Sequence, residues 1–300
     1  MKGCGHTPVL LEETLLFLQA SRPGVYLDGT FGLGGHSLEI LKRNSSARVI
    51  GFDRDEASLQ TAAGRLKAYA NRLSLYQADF RQLLELEGLI PWDEVRGALF
   101  DLGLSSFQLA DPARGFSFNQ EGPLDMRMDT RQKVTAEKIL LTYPESRLAE
   151  LFKEYGELHQ SKLLARKIVS LRKLGLLKTT SDLRRVAEET YHWIPQKNRL
   201  HPAAKVFQAL RIEVNQELAG LDDFLDRLAR QCRPGTRLVV ISFQSLEDRL
   251  VKTAWQRLAA PEKGQPVVKI LTRKPVRPTP EEIEVNVRSH SAKLRAVERV

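Results

Sequence analysis

The chain has 300 residues, 42% of them hydrophobic and 28% charged, with a net charge of +9. That is enough apolar material for one large domain, or one domain carrying an insertion, to bury a core without covalent staples. The two cysteines, Cys4 and Cys232, make neither a metal-ligand spacing nor a disulfide framework, which excludes a disulfide scaffold and points to a reducing, cytoplasmic setting.

His6-Thr-Pro-Val9 reads as an extended lead-in, with Thr7-Pro8 marking a turn or edge. The apolar stretch from Val9 to Leu18 is interrupted by Glu12 and Glu13 and lacks a small-residue cleavage site. An amphipathic helix is expected there, rather than a signal peptide or membrane span. Val25-Tyr-Leu-Asp28 then reads as a strand, Gly29, Gly32, Gly34 and Gly35 as a tight turn, and Ser37 to Arg43 as a helix. A strand, glycine turn and helix let a ligand lie against backbone near the positive end of the helix.

Three further strand-like runs also end in acids: Ala47 to Asp53, Leu73 to Asp79 and Gly97 to Asp101. Helices are expected over Asp55–Leu66 and Phe80–Glu85, so strands and helices alternate as in a doubly wound, mostly parallel α/β sheet. Asp28, Asp53, Asp79 and Asp101 then share one sheet edge. Each could instead cap the helix that follows it. Asp53 stands nineteen residues past Gly34, about where a carboxylate meets ribose hydroxyls. A dinucleotide would bring its pyrophosphate against Asp28. S-adenosylmethionine carries an ammonium and a sulfonium and no phosphate, so the acid-lined edge suits it better. Its single carboxylate would lie at the helix N-terminus near Gly35 and His36.

From Leu102 to Asp129 the chain is punctuated by glycine and proline, and such a long loop at a strand end suits a lid or substrate wall. Gln108 lies within it, as do Phe107, Phe116 and Phe118, which are candidate surfaces for stacking a base or simply packed loop aromatics. Residues 130–205 read as helices without an intervening strand, so residues 113–205 are expected to form a lid loop and helical insertion. Residues 1–112 and 206–300 then make up the α/β domain. Of the net charge, +8 falls on residues 131–205 (16 Lys+Arg against 8 Asp+Glu) and +4 on residues 269–300 (8 against 4), which leaves −3 elsewhere. Lys162, Arg166, Lys167, Arg172 and Lys173 fall on one expected helix and are candidate phosphate contacts, although solvation of a helix face also accounts for them. The clearest buried strand is Thr236 to Ser242, followed by Phe243 to Leu250 with polar residues at the strand end. Two closing strands joined by a stiff proline-rich loop are expected in residues 269–295.

Several strings together resemble the bacterial RsmH/MraW family of small-subunit (16S) ribosomal RNA cytosine-N4 methyltransferases. They are His6-Thr-Pro-Val9, Asp28-Gly-Thr-Phe-Gly-Leu-Gly-Gly-His36, Asp101-Leu-Gly-Leu-Ser-Ser106, Arg114-Gly-Phe-Ser-Phe118, Gly122-Pro-Leu-Asp-Met-Arg-Met128, Ser245-Leu-Glu-Asp-Arg249 and Ser291-Ala-Lys-Leu-Arg295. The resemblance spans nearly the whole chain. It implies a class I S-adenosylmethionine-dependent fold with an inserted helical domain, and cofactor contacts from Gly34, Gly35, His36, Asp53, Phe80, Asp101 and Gln108. It also implies a cytidine target in the decoding region of small-subunit ribosomal RNA and a cytoplasmic location. Asp28 joins the cofactor set from its place in the acid row. Asp101, at the end of the fourth strand, is the candidate for accepting the N–H hydrogen bonds of the target amine, with a purely cofactor-side role as its alternative. No metal motif is present, and a monomer or homodimer is expected. Gln244, His290, Phe107 and Leu158-His159 depart from the family pattern on what would be the RNA side. A nicotinamide-dependent oxidoreductase and a non-catalytic RNA-binding member of the fold are the rival readings.

Overall fold

The computed structural model describes residues 8–196 and 200–300, so Cys4, His6 and Thr7 lie outside the described residues. The chain divides into two compact units, residues 1–103 with 220–300 and residues 104–219.

In the first unit the order is α1 (Leu11–Leu18), β1 (Gly24–Asp28), α2 (Gly35–Arg43), β2 (Ala47–Asp53), α3 (Glu56–Arg65), β3 (Leu73–Gln77) and β4 (Val95–Asp101). After the second unit, the chain returns as α10 (Leu221–Gln231), β5 (Arg237–Ser242), α11 (Ser245–Ala259), β6 (Val268–Ile270), α12 (Pro280–Val285) and β7 (Lys293–Arg299). The strands form a seven-stranded sheet in the order β3-β2-β1-β4-β5-β7-β6, with β7 antiparallel to both neighbours and β1 to β5 mutually parallel. This is the doubly wound fold expected from the alternating pattern. Parallel strands covered on both faces must be apolar on both, which is why Val25, Tyr26 and Leu27 of β1 are all buried, as are Leu238 to Ile241 of β5. On α10, Leu221, Phe224, Leu225 and Leu228 repeat at helical spacing and enter the core shared with Phe80 and Phe100.

The strand order reverses at β1, between β2 and β4, so the first turn and the end of β4 flank one crevice. Residues 80–85, expected as an α-helix, form a 3₁₀ helix capped by Asp79, whose carboxylate accepts the Arg81 N–H. The two closing strands are β6, close to where the pattern suggests, and β7, which starts only at Lys293 because Val287–Ser291 forms a 3₁₀ helix.

The second unit contains α4 (Ser106–Ala110), α5 (Ala136–Thr142), α6 (Glu145–Glu154), α7 (Ser161–Lys173), α8 (Thr180–Thr190) and α9 (Pro202–Asn215). Its core joins Phe116, Leu124 and Met126 of the loop to Leu148, Ile168, Leu183 and Phe207 of the helices. Here the boundaries differ from the expected 113 and 205. Residues 203–215, read as a return of the α/β pattern, belong to the helical unit because Val206, Phe207, Leu210 and Val214 bury into its core. Asn215 also grips the loop: its Oδ1 accepts the Met128 N–H at 2.7 Å and its Nδ2 donates to the Met126 carbonyl at 2.8 Å.

The glycines of the first turn and of β2 make room for one ring. An ideal Cβ on Gly51 would lie 2.3 Å from the buried Phe31 ring, and one on Gly34 would lie 2.8 Å from it. Phe31 thus folds the turn back onto β2, reinforced by its N–H to the Phe52 carbonyl at 2.9 Å. Gly51→Ala should destabilise the protein by about 1–3 kcal/mol, as overpacking does. In urea titrations its cost should fall well below additivity when combined with Phe31→Leu. Additive costs would mean that Phe31 is not the group Gly51 accommodates.

Candidate functional site

Asp28, Asp53 and Asp101 end β1, β2 and β4, and the sheet register sets them side by side: Asp28 is level with Gly51 of β2 and with Leu99 of β4. The turn after β1 laces them together. Asp28 accepts the Ser37 hydroxyl at 2.6 Å and the Thr30 N–H at 3.3 Å. Asp53 accepts the Gly32 N–H at 2.6 Å and the Asp55 N–H at 2.8 Å. The Thr30 hydroxyl accepts the Asp101 N–H at 2.6 Å. These bonds fix the Asp28 and Asp53 carboxylates and the Asp101 backbone at the ends of their strands; Thr30 sits within the Asp28–His36 string, and Ser37 directly follows it.

The electrostatics follow from this packing. Burial pushes the Asp28 carboxyl up to about 6, against the lowering effect of Ser37 and Thr30, with the Asp53 charge raising it further. Burial likewise pushes Asp53 up to about 6 despite the amides of Asp55 and Gly32. Asp101 rises furthest, to about 8, through burial and the nearby charges of Asp28 and Glu247. Glu247 is itself buried at the start of α11, where it accepts the N–H groups of Phe243 and Gln244 at 3.0 and 3.2 Å. Asp101 Oδ1 is buried and has no hydrogen-bond partner among the described residues. A buried acceptor left without a donor is uncommon and calls for a ligand or a strain explanation.

His36 is buried with Nε2 donating to the Val9 carbonyl at 2.9 Å, which leaves Nδ1 to face Asp101 Oδ2 at 4.0 Å. Gly34 and Gly35 bring the α2 N-terminus against this edge, and no side chain caps that terminus. Their missing side chains are replaced by Phe31 and by Pro8, so the glycines serve the folding of the turn as well as access to it.

Other expected members stand elsewhere. Asp79 is bound by Arg81 at 2.6 Å and by Arg54, which hold its carboxyl below the usual range against burial, so it caps and pairs instead of joining the acids. The Phe80 ring is packed between Phe100 and Phe224 at centroid distances of 5.2 and 5.1 Å, a core position. Gln108 belongs to the second unit, where its Oε1 accepts the Ser105 N–H at 3.0 Å in a capping box on α4. Phe116 is buried in the helical core, and Phe118 stacks on His201 at 5.0 Å. Both are packed aromatics.

Of the departures from the family pattern, Gln244 adjoins the acids through Glu247, and the others stand elsewhere in their own units. Gln244 donates from Nε2 to Glu247 Oε1 at 3.2 Å, and His290 is exposed. Leu158 is buried in the helical core, and His159 meets Tyr191 edge-on at 5.4 Å.

On α7 the five basic residues separate. At 100° per residue, Lys162, Arg166 and Lys173 fall within a stripe about 40° wide, whereas Lys167 and Arg172 project to other sides. Arg172 must be removed from the candidate phosphate contacts, because its Nη1 donates to the Leu140 and Tyr143 carbonyls at 2.9 and 2.6 Å. It fastens the C-terminal end of α5. Arg166 is 71% exposed and approaches Glu145 only at 3.8 Å, an ion pair worth little in water.

The arrangement suits a cationic small molecule. Each carboxylate offers about four lone-pair directions, so Asp53 keeps two after its amide bonds, enough for a pair of hydroxyls. A pyrophosphate would meet three acids. It would also find the turn amides engaged, since those of Gly29, Thr30, Phe31, Gly32 and Gly34 all bond within the protein. This disfavours the dinucleotide reading on physical grounds.

The raised Asp101 value has a stability consequence. The folded state holds this proton more tightly than the unfolded chain does, so stability is full below about pH 4 and is lost as pH rises towards 8. Asp101→Asn should therefore raise Tm at pH 9 by on the order of 5 °C, with the gain vanishing near pH 4. Calorimetric scans across pH test this. A variant less stable than its parent at pH 9 would mean that the carboxylate is well accommodated when charged.

Comparison with known proteins agrees with this geometry. Residues 3–300 match the model of the MraW methylase family. The chain is 46% identical over 308 residues to the ribosomal RNA small subunit methyltransferase H of Carboxydothermus hydrogenoformans, covering 98% of each chain. It is 45% identical to the protein of the same name from Thermomicrobium roseum, covering 98% of this chain and 94% of that one. For the Oleidesulfovibrio alaskensis protein the identity is 43%, with 98% and 95% covered. An intact acid-lined turn and a match from end to end place the chain in the MraW methylase family.

Proposed function

We propose that this protein transfers a methyl group from S-adenosylmethionine to the exocyclic N4 amine of a cytidine in the decoding region of small-subunit (16S) ribosomal RNA, in the cytoplasm. The observation that carries the reading is the cluster of three carboxylates, Asp28 buried and Asp53 and Asp101 half-buried, with Asp101 Oδ1 lacking a donor, in a chain whose relatives are named for methylating that RNA.

Asp53 would hold the adenosyl hydroxyls, and the uncapped first turn of α2, at Gly35 and His36, would receive the cofactor carboxylate. Asp28 supports the turn through Ser37 and Thr30 and adds negative potential for a cation. Phe80 supports the edge from the core. When bound, the cofactor supplies an electrophilic methyl on a positively charged sulfur.

Cytosine N4 is a weak nucleophile because its lone pair is delocalised into the ring. An acceptor for its N–H groups therefore stabilises the positive charge that develops on nitrogen as the methyl transfers. Asp101 is suited to this role, with Oδ1 unpartnered and a carboxyl poised near neutrality, the range that suits accepting a proton. A cation beside it would favour its ionised form. The target base must leave its stack before it can reach such a site.

Transfer of labelled methyl to small-subunit RNA or 30S particles, read as N4-methylcytidine by mass spectrometry of digested nucleosides, tests the reading. Asp53→Ala should weaken cofactor binding by at least tenfold in calorimetry, and Asp101→Asn should lower kcat by roughly 10²–10³ with a much smaller change in cofactor affinity. Unlabelled RNA, or a product on another base, would overturn the proposal.

The exposed stripe of α7 is the proposed RNA surface of the helical unit. Replacing Lys162, Arg166 and Lys173 together with alanine should lower the slope of log affinity against log salt by roughly 2. Arg172→Ala should instead cost about 1–2 kcal/mol of stability, through two stranded carbonyls, and leave the slope alone. Filter binding over a salt series, with urea unfolding, separates the two.

A further inference from the structure

A second open feature of the α/β unit lies away from the acids. Between α11 and β6 is a cleft of about 830 Å³, walled by Trp255 and Ala259 on the helix and by Val268 and Ile270 on the strand. On α11 the residues facing it, Lys252, Trp255, Gln256 and Ala259, follow the spacing of a single helix face. Its volume is in the range of small-molecule sites.

The charged side chains of the cleft are all basic, and Val300 also lines it. Lys252, Lys269, Arg273 and Arg295 line it, and no Asp or Glu side chain does. Arg295 is fixed from behind by Asp248, whose Oδ1 accepts its Nε at 2.6 Å and whose Oδ2 accepts its Nη2 at 3.3 Å. No carboxylate among the described residues lies within ion-pair distance of Lys252 or Arg273, both of which are exposed. Behind the wall, Trp255 is 2% exposed, and its indole N–H has no acceptor among the described residues. The cations Lys252 and Arg273 and the apolar wall of Ala259, Val268 and Ile270 share one hollow. They suit phosphate oxygens together with a flat apolar group.

Helix α11 also links this cleft to the acids. Glu247, which raises the Asp101 pKa, begins the helix; Lys252 stands five residues further along and Ala259 twelve, about 7 and 18 Å at 1.5 Å per residue. We infer that the cleft between α11 and β6 is a second contact for the RNA substrate, seating its phosphodiester backbone on the α/β unit one to three helical turns from the acid cluster. This rests on the RNA-methylating reading. It gives a task to Lys269 and Arg273 of the basic segment 269–300, which the α7 stripe leaves unexplained.

The test uses the full chain, a small-subunit rRNA fragment as probe, and Lys252→Ala with Arg273→Ala, two exposed changes outside the acid cluster. The double variant should bind the RNA 3- to 30-fold more weakly at low salt, with the salt slope reduced by roughly 1.4 and S-adenosylmethionine affinity unchanged. A salt slope equal to that of the parent overturns the inference and leaves the methyl-transfer reading standing. Loss of cytidine monophosphate binding in the variant, with RNA binding intact, also overturns it and assigns the cleft to a free nucleotide. If the parent binds RNA through these residues yet transfers no methyl to it, the cleft stands and the proposed reaction falls.

Discussion

Three carboxylates, one buried and two half-buried, within electrostatic reach of one another are costly, and the first half of the chain is arranged to tolerate them. Asp28, Asp53 and Asp101 each end a parallel strand, and each is tied down by a backbone or hydroxyl group of the turn between β1 and α2. Their carboxyls nonetheless all rise above the ordinary range. Negative potential that the protein leaves uncompensated remains for a cation to neutralise. The fold therefore stores at this edge a preference for a positively charged ligand, at some cost in its own stability.

Family strings that are separate in sequence become pairs in space. Arg114 to Phe118 packs against Gly122 to Met128: Arg114 donates to the carbonyls of Arg127 and Met128, and its own carbonyl accepts the Met126 N–H at 3.0 Å. A side chain on Gly115 or Gly122 would come within 2.0 Å of backbone oxygen, so only glycine lets the two strands of this loop close. Met126 is held at φ 61° at their junction, fully buried, a strained conformation fixed by bonds on both sides. Ser245 to Arg249 likewise meets Ser291 to Arg295 through the Asp248 pairs with Lys293 and Arg295. The second pair anchors α11 to β7 within the α/β unit, where α11 starts near Asp101 and packs along β6.

The helical unit shows how a basic composition resolves into different tasks. Of the five cations noted on α7, three form one exposed stripe, and one is spent on carbonyls of the neighbouring helix. Within the same unit, the buried Glu213 accepts from the Tyr143 hydroxyl at 2.8 Å and from Arg147 at 3.4 Å, so charge there also serves packing.

The sequence by itself determined the α/β order, the acids at the strand ends and the glycine turn. These are local patterns: a parallel strand covered on both faces must be an apolar run, and its first polar residue marks where it leaves the sheet. The resemblance of its strings to one family was equally a matter of residues in order. Only the tertiary structure decided which of those residues were already engaged. Asp79 lost its place among the acids to Arg54 and Arg81, Phe80 turned into a core of rings, Gln108 closed a cap, and the helix from Pro202 to Asn215 took its place in the helical core. Each of these outcomes depends on which group arrives from elsewhere in the chain to occupy a side chain. That is a property of distance in space, which a residue's own neighbours in sequence do not encode.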